Sequence, residues 1–220
     1  MSKDRKKLAV LISGRGSNME AILAASQNAA YPAQIVLVLS DKPDAKGLET
    51  AQSAEIDTAA FSRDNYSGKA EHEADIINAI ENAQADFIIL AGYMRILSKE
   101  FTSRFEGRLI NIHPSLLPAY KGLDTHARVL EDRVTEHGCT VHFVNHEMDG
   151  GAIIAQATVA VAQDDTEASL AGRVLKQEHR LYPEVIRLLA SGSIYWAEGK
   201  TGFTSDAIDA LGAFDKTAAN

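Results

Sequence analysis

A single cysteine, Cys139, and a single tryptophan stand in this chain of 220 residues. One cysteine excludes an intrachain disulfide and every zinc pattern built on cysteine pairs. Basic residues are also in short supply, with 22 Lys and Arg against 30 Asp and Glu and a formal net charge of -8. An acidic surface argues against a nucleic-acid partner, which would need clustered cations to neutralise phosphates, but leaves room for one local phosphate pocket. No long apolar run is present. The first one, after the charged start MSKDRKK, is only a few residues long. That is too short for a secretory signal or a membrane span, so the expectation is a cytoplasmic protein with no membrane partner.

What is present is a repeating pattern. Residues 7–12 (KLAVLI), 35–39, 87–91 and 109–113 are continuous apolar runs. Between them lie segments with helical spacing: Met19, Ile22 and Leu23; residues 45–54; and residues 70–83, with Ile76, Ile77 and Ile80. Residues 57–61 suit a short strand. Buried strands alternating with amphipathic helices predict an α/β fold with a doubly wound, mainly parallel sheet of Rossmann-like type. The C-terminal half reads differently. Residues 139–145 and 152–161 flank Asp149-Gly150-Gly151 as two strands joined by a tight connection, which puts an antiparallel strand there. A long helix follows over 164–190, capped by Thr166, with Glu167 in its first turn and a kink at Pro183. Residues 194–196 suit a last short strand. The chain reads as one domain, with a nucleotide-phosphate half over about 1–105, a second half over about 106–200 and a peripheral tail over 201–220.

Three places carry chemistry. Gly14-Arg15-Gly16 follows a strand and opens a helix, so its backbone amides can approach an anion, with Ser17 and Asn18 adding donors and a cap. Asp41 beyond the second strand makes a dinucleotide site tempting. Met19 stands where the third glycine of that fingerprint belongs, so a phosphate or monophosphate site is the preferred reading, with a turn that binds nothing as the alternative. Asn111 and His113 are two apart on a strand and share a face, at a carboxyl end marked by Pro114. An amide donor beside an imidazole suits a developing oxyanion, although both could instead satisfy backbone groups. A cis bond before Pro118 is compatible with the loop that follows. Asp149 reads as a turn residue unless it lies near His113, where it would raise the imidazole pKa. His137, His142 and His146 match no strong metal spacing and read as solvated or hydrogen-bonded histidines. His126 belongs to a helix start, and Cys139 reads as a buried, inert thiol.

Together these segments resemble the folate-dependent formyltransferase family. The matching stretches are LISGRGSNMEAI, ILAGYMRILS, LINIHPSLLPAYKGLDTHARVLE, EHGCTVHFVNHEMDGGAII and LKQEHRLYPEVI, in order over roughly residues 8 to 196. The GSN turn is similar to the branch whose acceptor is glycinamide ribonucleotide, in purine biosynthesis. The resemblance implies that Asn111, His113 and Asp149 are catalytic. It implies that Gly16, Ser17 and Asn18, with Leu175, Lys176, Gln177 and Glu178, bind the ribonucleotide. It assigns Lys69, Met94, Arg95, Ile96, Leu97, Asn111, Asn145, His146, Glu147, Met148 and Asp149 to the reduced folate, with Lys69 at a position where the family usually has arginine. The donor would be 10-formyltetrahydrofolate, without a metal, in a monomer or weak homodimer. Two other classes fit parts of the pattern: a formyltetrahydrofolate hydrolase, which commonly has an extra amino-terminal domain, and a non-catalytic folate- or phosphate-binding module. A nicotinamide enzyme is a third.

Overall fold

Leu8 to Ile12 are wholly buried, as a strand covered on both faces must be, and they form β1 (Lys6–Ile12). The computed structural model describes residues 5–214 and 216–217. The chain, expected as one domain, divides into two compact units, one ending at Ile110 and the other beginning at Asn111.

The first unit continues with α1 (Ser17–Ser26), β2 (Ala33–Ser40), α2 (Lys46–Ser53), β3 (Asp57–Ala60), a 3-10 turn, α3 (Lys69–Asn82), β4 (Phe87–Leu90) and α4 (Lys99–Arg104). Its strands lie in the order β3-β2-β1-β4, and every pair is parallel. The chain winds outward from β1 to β3, then returns to the other side of β1 as β4. The carboxyl ends of β1 and β4 therefore form a switch point, where α/β sheets open a crevice for ligands. The segments that follow those ends, 13–18 and 91–97, include the glycine turn and Met94 to Leu97. Helix α4 escaped the sequence reading because six residues cannot show a helical period. Ser98 caps it, its Oγ accepting from the Phe101 amide at 3.1 Å.

The second unit holds the end of β5 (Leu109–His113), then α5 (Thr125–Glu131), β6 (Glu136–Phe143), β7 (Ile153–Ala160), α6 (Glu167–Ser191), β8 (Ile194–Ala197), β9 (Lys200–Phe203), α7 (Ser205–Leu211) and β10 (Lys216–Thr217). Strands run β5-β6-β7-β10, with β6 and β10 antiparallel to β7, and β8 and β9 form a separate antiparallel hairpin. The fold is α/β and Rossmann-like, with antiparallel strands towards the carboxyl terminus.

Helix α6 packs on β6 and β7, as well as on α5 and β8, and buries Leu170, Val174, Leu181, Val185 and Leu188 almost completely. Each such side chain contributes about 1.5–3 kcal/mol of burial. The helix starts at Glu167 rather than 164 because Thr166 closes a capping box with Ser169. It continues through Pro183 to Ser191. The segment after residue 200, read as a peripheral tail, is packed: Ala207 and Leu211 of α7 are fully buried, and the Thr201 hydroxyl donates to the Ile153 carbonyl at 2.8 Å. An apolar pair four residues apart on so short a helix gave too little periodicity to show this.

Candidate active site

The site in the second unit grows from the end of β5. Strand alternation puts Asn111 and His113 on one face, and both meet the 144–152 connection and β6. His113 is 6% exposed, and its Nε2 lies 2.9 Å from the Tyr120 carbonyl. A carbonyl only accepts, so Nε2 carries hydrogen. On the other side of the ring, Nδ1 lies 3.5 Å from Asp149 Oδ2. That carboxylate oxygen also accepts from the Gly122 amide at 2.9 Å. The loop from Ser115 to Pro118, which includes a cis Leu117–Pro118 bond, is tied to the sheet. Thr140 Oγ1 donates to the Ser115 carbonyl and accepts from the Leu117 amide, and Gln156 donates to the Leu117 carbonyl.

Asp149 reaches the ring because its connection is not the tight hairpin expected from Asp-Gly-Gly. Residues 144–152 separate β6 from β7. Asn145 Oδ1 accepts from the Glu147 amide, and Gly150 donates back to the Glu147 carbonyl. This local turn leaves Asp149 in the left-handed region, φ 48°, which Asp tolerates better than most residues. Gly151 is obligatory, since a Cβ there would lie 1.8 Å from the Phe143 carbonyl oxygen. Asn145 is half-buried, whereas His146, Glu147 and Met148 are exposed. Met148 (56% exposed) and Leu123 (73%) leave apolar surface bare on the connections that carry Asp149 and Gly122.

His142, read from sequence as one hydrogen-bonded histidine among several, belongs to this cluster. Burial pushes its pKa down to about 4, so the ring is neutral. Its Nδ1 faces the Phe143 carbonyl at 2.8 Å and must be the protonated nitrogen. Nε2 is then a bare acceptor, 3.2 Å from Asn111 Nδ2. This bond sets the orientation of the Asn111 amide and leaves its second N–H free to donate. Asp149 Oδ1 lies 3.9 Å from the same Nε2. The signal was a histidine within a largely buried strand that also holds His137, but sequence gave no distance to Asn111. A second histidine pair, His126 Nδ1 and His137 Nε2 at 3.0 Å, lies near Tyr120. Burial pushes His137 down to about 4 and lowers His126. His146 lies beyond the end of β6 and shares no strand face with His142.

Leu175 to Glu178 are consecutive on α6, so they cannot all face one ligand. Leu175 and Glu178, three apart, share a face, while Lys176 is exposed. Glu178 is buried, and its charge adds to burial in raising the Cys139 thiol well above its ordinary pKa. Cys139 is accordingly an inert thiol.

The first unit carries the glycine turn. Gly16 itself caps α1 at φ 75°, with no side-chain cap bond, so neither Ser17 nor Asn18 serves as the cap. The first-turn amides of α1 therefore keep their capacity for an anion. A cavity of about 230 Å3 opens there, lined by residues 13–18 with Ala91, Gly92 and Met94. Gly47, which sequence reasoning missed, donates its amide to the Gly14 carbonyl at 3.1 Å. Its Cα lies 3.4 Å from where a Gly16 Cβ would be, so α2 braces the turn by glycine-on-glycine contact. Asp41 is not offered to a ribose: it is buried and bonded to Ser13 and Arg95. Met94 and Ile96 are 67% and 69% exposed, and Leu97 is buried. Lys69 begins α3, exposed and 3.8 Å from Glu73. A larger cavity of about 390 Å3, at the amino end of β4 beside Phe105 and Arg108, contains none of the residues named for the site. Among the described residues no group of three His, Cys, Asp or Glu could hold a metal ion, and no helix is long and apolar enough to cross a membrane.

Comparison with known proteins gives this geometry a context. Residues 6–186 match the formyl transferase family. A phosphoribosylglycinamide formyltransferase of Haemophilus influenzae is 46% identical over 189 residues, covering 86% of this chain and 89% of that one. The solved phosphoribosylglycinamide formyltransferase of Coxiella burnetii superposes with a TM-score of 0.88 at 39% identity, covering 91% of this chain and 94% of that one. A formyltetrahydrofolate deformylase of Pseudomonas putida is more distant, with a TM-score of 0.82 at 26% identity and coverage of 91% and 70%.

Proposed function

The chain belongs to the formyl transferase family, and we propose that it moves the formyl group of 10-formyltetrahydrofolate to the amine of glycinamide ribonucleotide in purine biosynthesis. The observation that carries the reading is the double grip on His113. Its Nε2 donates to the Tyr120 carbonyl at 2.9 Å while its Nδ1 faces the Asp149 carboxylate at 3.5 Å, so the ring is held with a negative charge behind it.

The acceptor amine attacks the formyl carbon and a C–N bond forms. The carbonyl oxygen becomes an oxyanion, stabilised by the His113 imidazolium and by the second N–H of Asn111. Asp149 balances and orients the imidazolium and helps relay the proton that leaves the attacking amine. The bond from carbon to the folate nitrogen then breaks as that nitrogen takes a proton. His142, locked as an acceptor, holds Asn111 in register. Because the amine is the nucleophile, no covalent intermediate on the enzyme is required. The amides of the Gly16–Asn18 turn hold the ribonucleotide phosphate, and Glu178 is the polar contact from α6. The exposed apolar side chains at Met94, Ile96 and Met148 are suited to the flat folate ring, with Lys69 as a single-point cationic contact.

Incubation with 10-formyltetrahydrofolate and glycinamide ribonucleotide should yield the N-formyl product, with little formate when the acceptor is left out. Formate release that ignores the acceptor would instead mark the hydrolytic reaction of the more distant deformylase relative.

A further inference from the structure

Asp41 follows β2 and is a charged group with no part in the proposed chemistry, yet its side chain is only 1% exposed. Oδ1 accepts from the Ser13 hydroxyl at 2.5 Å, and Oδ2 accepts from Arg95 Nε at 2.8 Å. With its proton committed to Asp41, the Ser13 hydroxyl turns a lone pair to the Met94 amide, which donates at 2.8 Å. The Ser13 amide in turn donates to the Gly92 carbonyl at 3.1 Å. One buried carboxylate thus holds two consecutive residues of the connection between β4 and α4, Met94 through its backbone and Arg95 through its side chain. Arg95 reaches Asp41 through Nε, and its side chain is otherwise half-exposed. Met94 and Ile96 flank it with bare apolar side chains.

A carboxylate suits this task and an amide does not. Both oxygens must accept, one from a hydroxyl and one from a guanidinium, whereas asparagine offers a single acceptor. A segment that exposes two large apolar side chains needs its backbone fixed from behind if those side chains are to present one surface to a ligand.

We propose that Asp41 is the positioning residue of the formyl-donor wall, fixing Met94 through Ser13 and aiming Arg95 through Nε. The proposal rests on the reading of Met94 to Leu97 as that wall, and the test separates the two. Binding of 10-formyltetrahydrofolate is titrated without acceptor for wild type, D41N, S13A, R95A, the double variant S13A/R95A, the triple variant D41N/S13A/R95A and the pair M94A/I96A. Steady-state KM and kcat are measured alongside. D41N should weaken donor binding at least fivefold, with kcat at saturating donor falling less than twofold. That split is one which a general loss of folded enzyme would not produce. Added to S13A/R95A, the same change should cost less than a further twofold. Should D41N fail to fold, S13A must weaken the donor by itself, because it cuts the Met94 arm and leaves the carboxylate in place. If M94A/I96A weakens the donor while D41N and S13A leave it unchanged, or if D41N adds in full to S13A/R95A, the positioning role is wrong. If M94A/I96A leaves donor binding unaltered, the wall reading itself fails, and Asp41 loses this role with it.

Discussion

Replacing Asp149 by Asn removes the carboxylate's charge and turns one of its two acceptor oxygens into an amide donor, at nearly unchanged shape. The left-handed backbone at φ 48° accepts Asn as readily as Asp, and an amide oxygen can still take the Gly122 amide hydrogen. What is lost is the interaction of a carboxylate with the His113 ring across 3.5 Å. For unit charges at that separation the Coulomb energy is about 5 kcal/mol at an effective dielectric constant near 20 and about 1.2 kcal/mol in water. The two side chains are 8% and 12% exposed, so the first figure sets the ceiling and the second the floor. At about 1.4 kcal/mol per decade, turnover should fall between roughly 7-fold and 3,000-fold. Steady-state kcat at saturating concentrations of both substrates is the readout, and thermal melting shows that the variant is folded. A folded Asp149→Asn enzyme with kcat within twofold of wild type would refute the reasoning.

Other consequences of the geometry are as easily tested. Gly47→Ala would place a Cβ 2.4 Å from Ile12 Cδ1 and 3.1 Å from the Arg15 carbonyl oxygen. It should cost about 1–3 kcal/mol of stability and raise KM for the ribonucleotide more than KM for the folate; an unchanged ribonucleotide KM would separate Gly47 from the phosphate turn. Thr166→Ala removes the cap of α6 and should lower stability by about 1 kcal/mol in denaturant titration, with kcat unaltered. His137 and His142 are pushed down to about 4 by burial, against 6.5 for an ordinary histidine. The unfolded chain therefore takes up protons below pH 6.5 that the folded chain refuses until about pH 4, so stability is fully present above pH 6.5 and is lost as the pH falls through that window. The loss is up to about 3 kcal/mol for each histidine, and a denaturation midpoint that stays level from pH 7 to pH 4.5 would contradict it.

The first unit was largely legible because its inner strands, β1 and β4, are almost wholly buried. Continuous apolar runs such as Leu8–Ile12 and Phe87–Leu90 stand out in any reading, and the helices between them keep their period. Asn111 and His113 were legible for a similar reason, since strand alternation fixes their common face. Distance was not legible. Asp149 reaches His113 only because Asn145, Glu147 and Gly150 build a turn of their own, whereas the Asp-Gly-Gly string alone suggests a tight hairpin. His142 and Gly47 act through contacts with residues 31 and 33 positions away, Asn111 and Gly14. Neither contact leaves a local trace in composition or periodicity. The cap of α1 was misassigned because Ser17 and Asn18 are good capping residues by type, while the conformation of Gly16 takes that place first.

Single-turnover formyl transfer by His113→Ala, beside wild type, bears most directly on the role assigned to that imidazolium. The expected rate is about 10²–10⁴-fold lower, with 10-formyltetrahydrofolate binding within a few-fold of wild type. A folded His113→Ala enzyme that formylates the ribonucleotide at close to the wild-type rate would contradict that role.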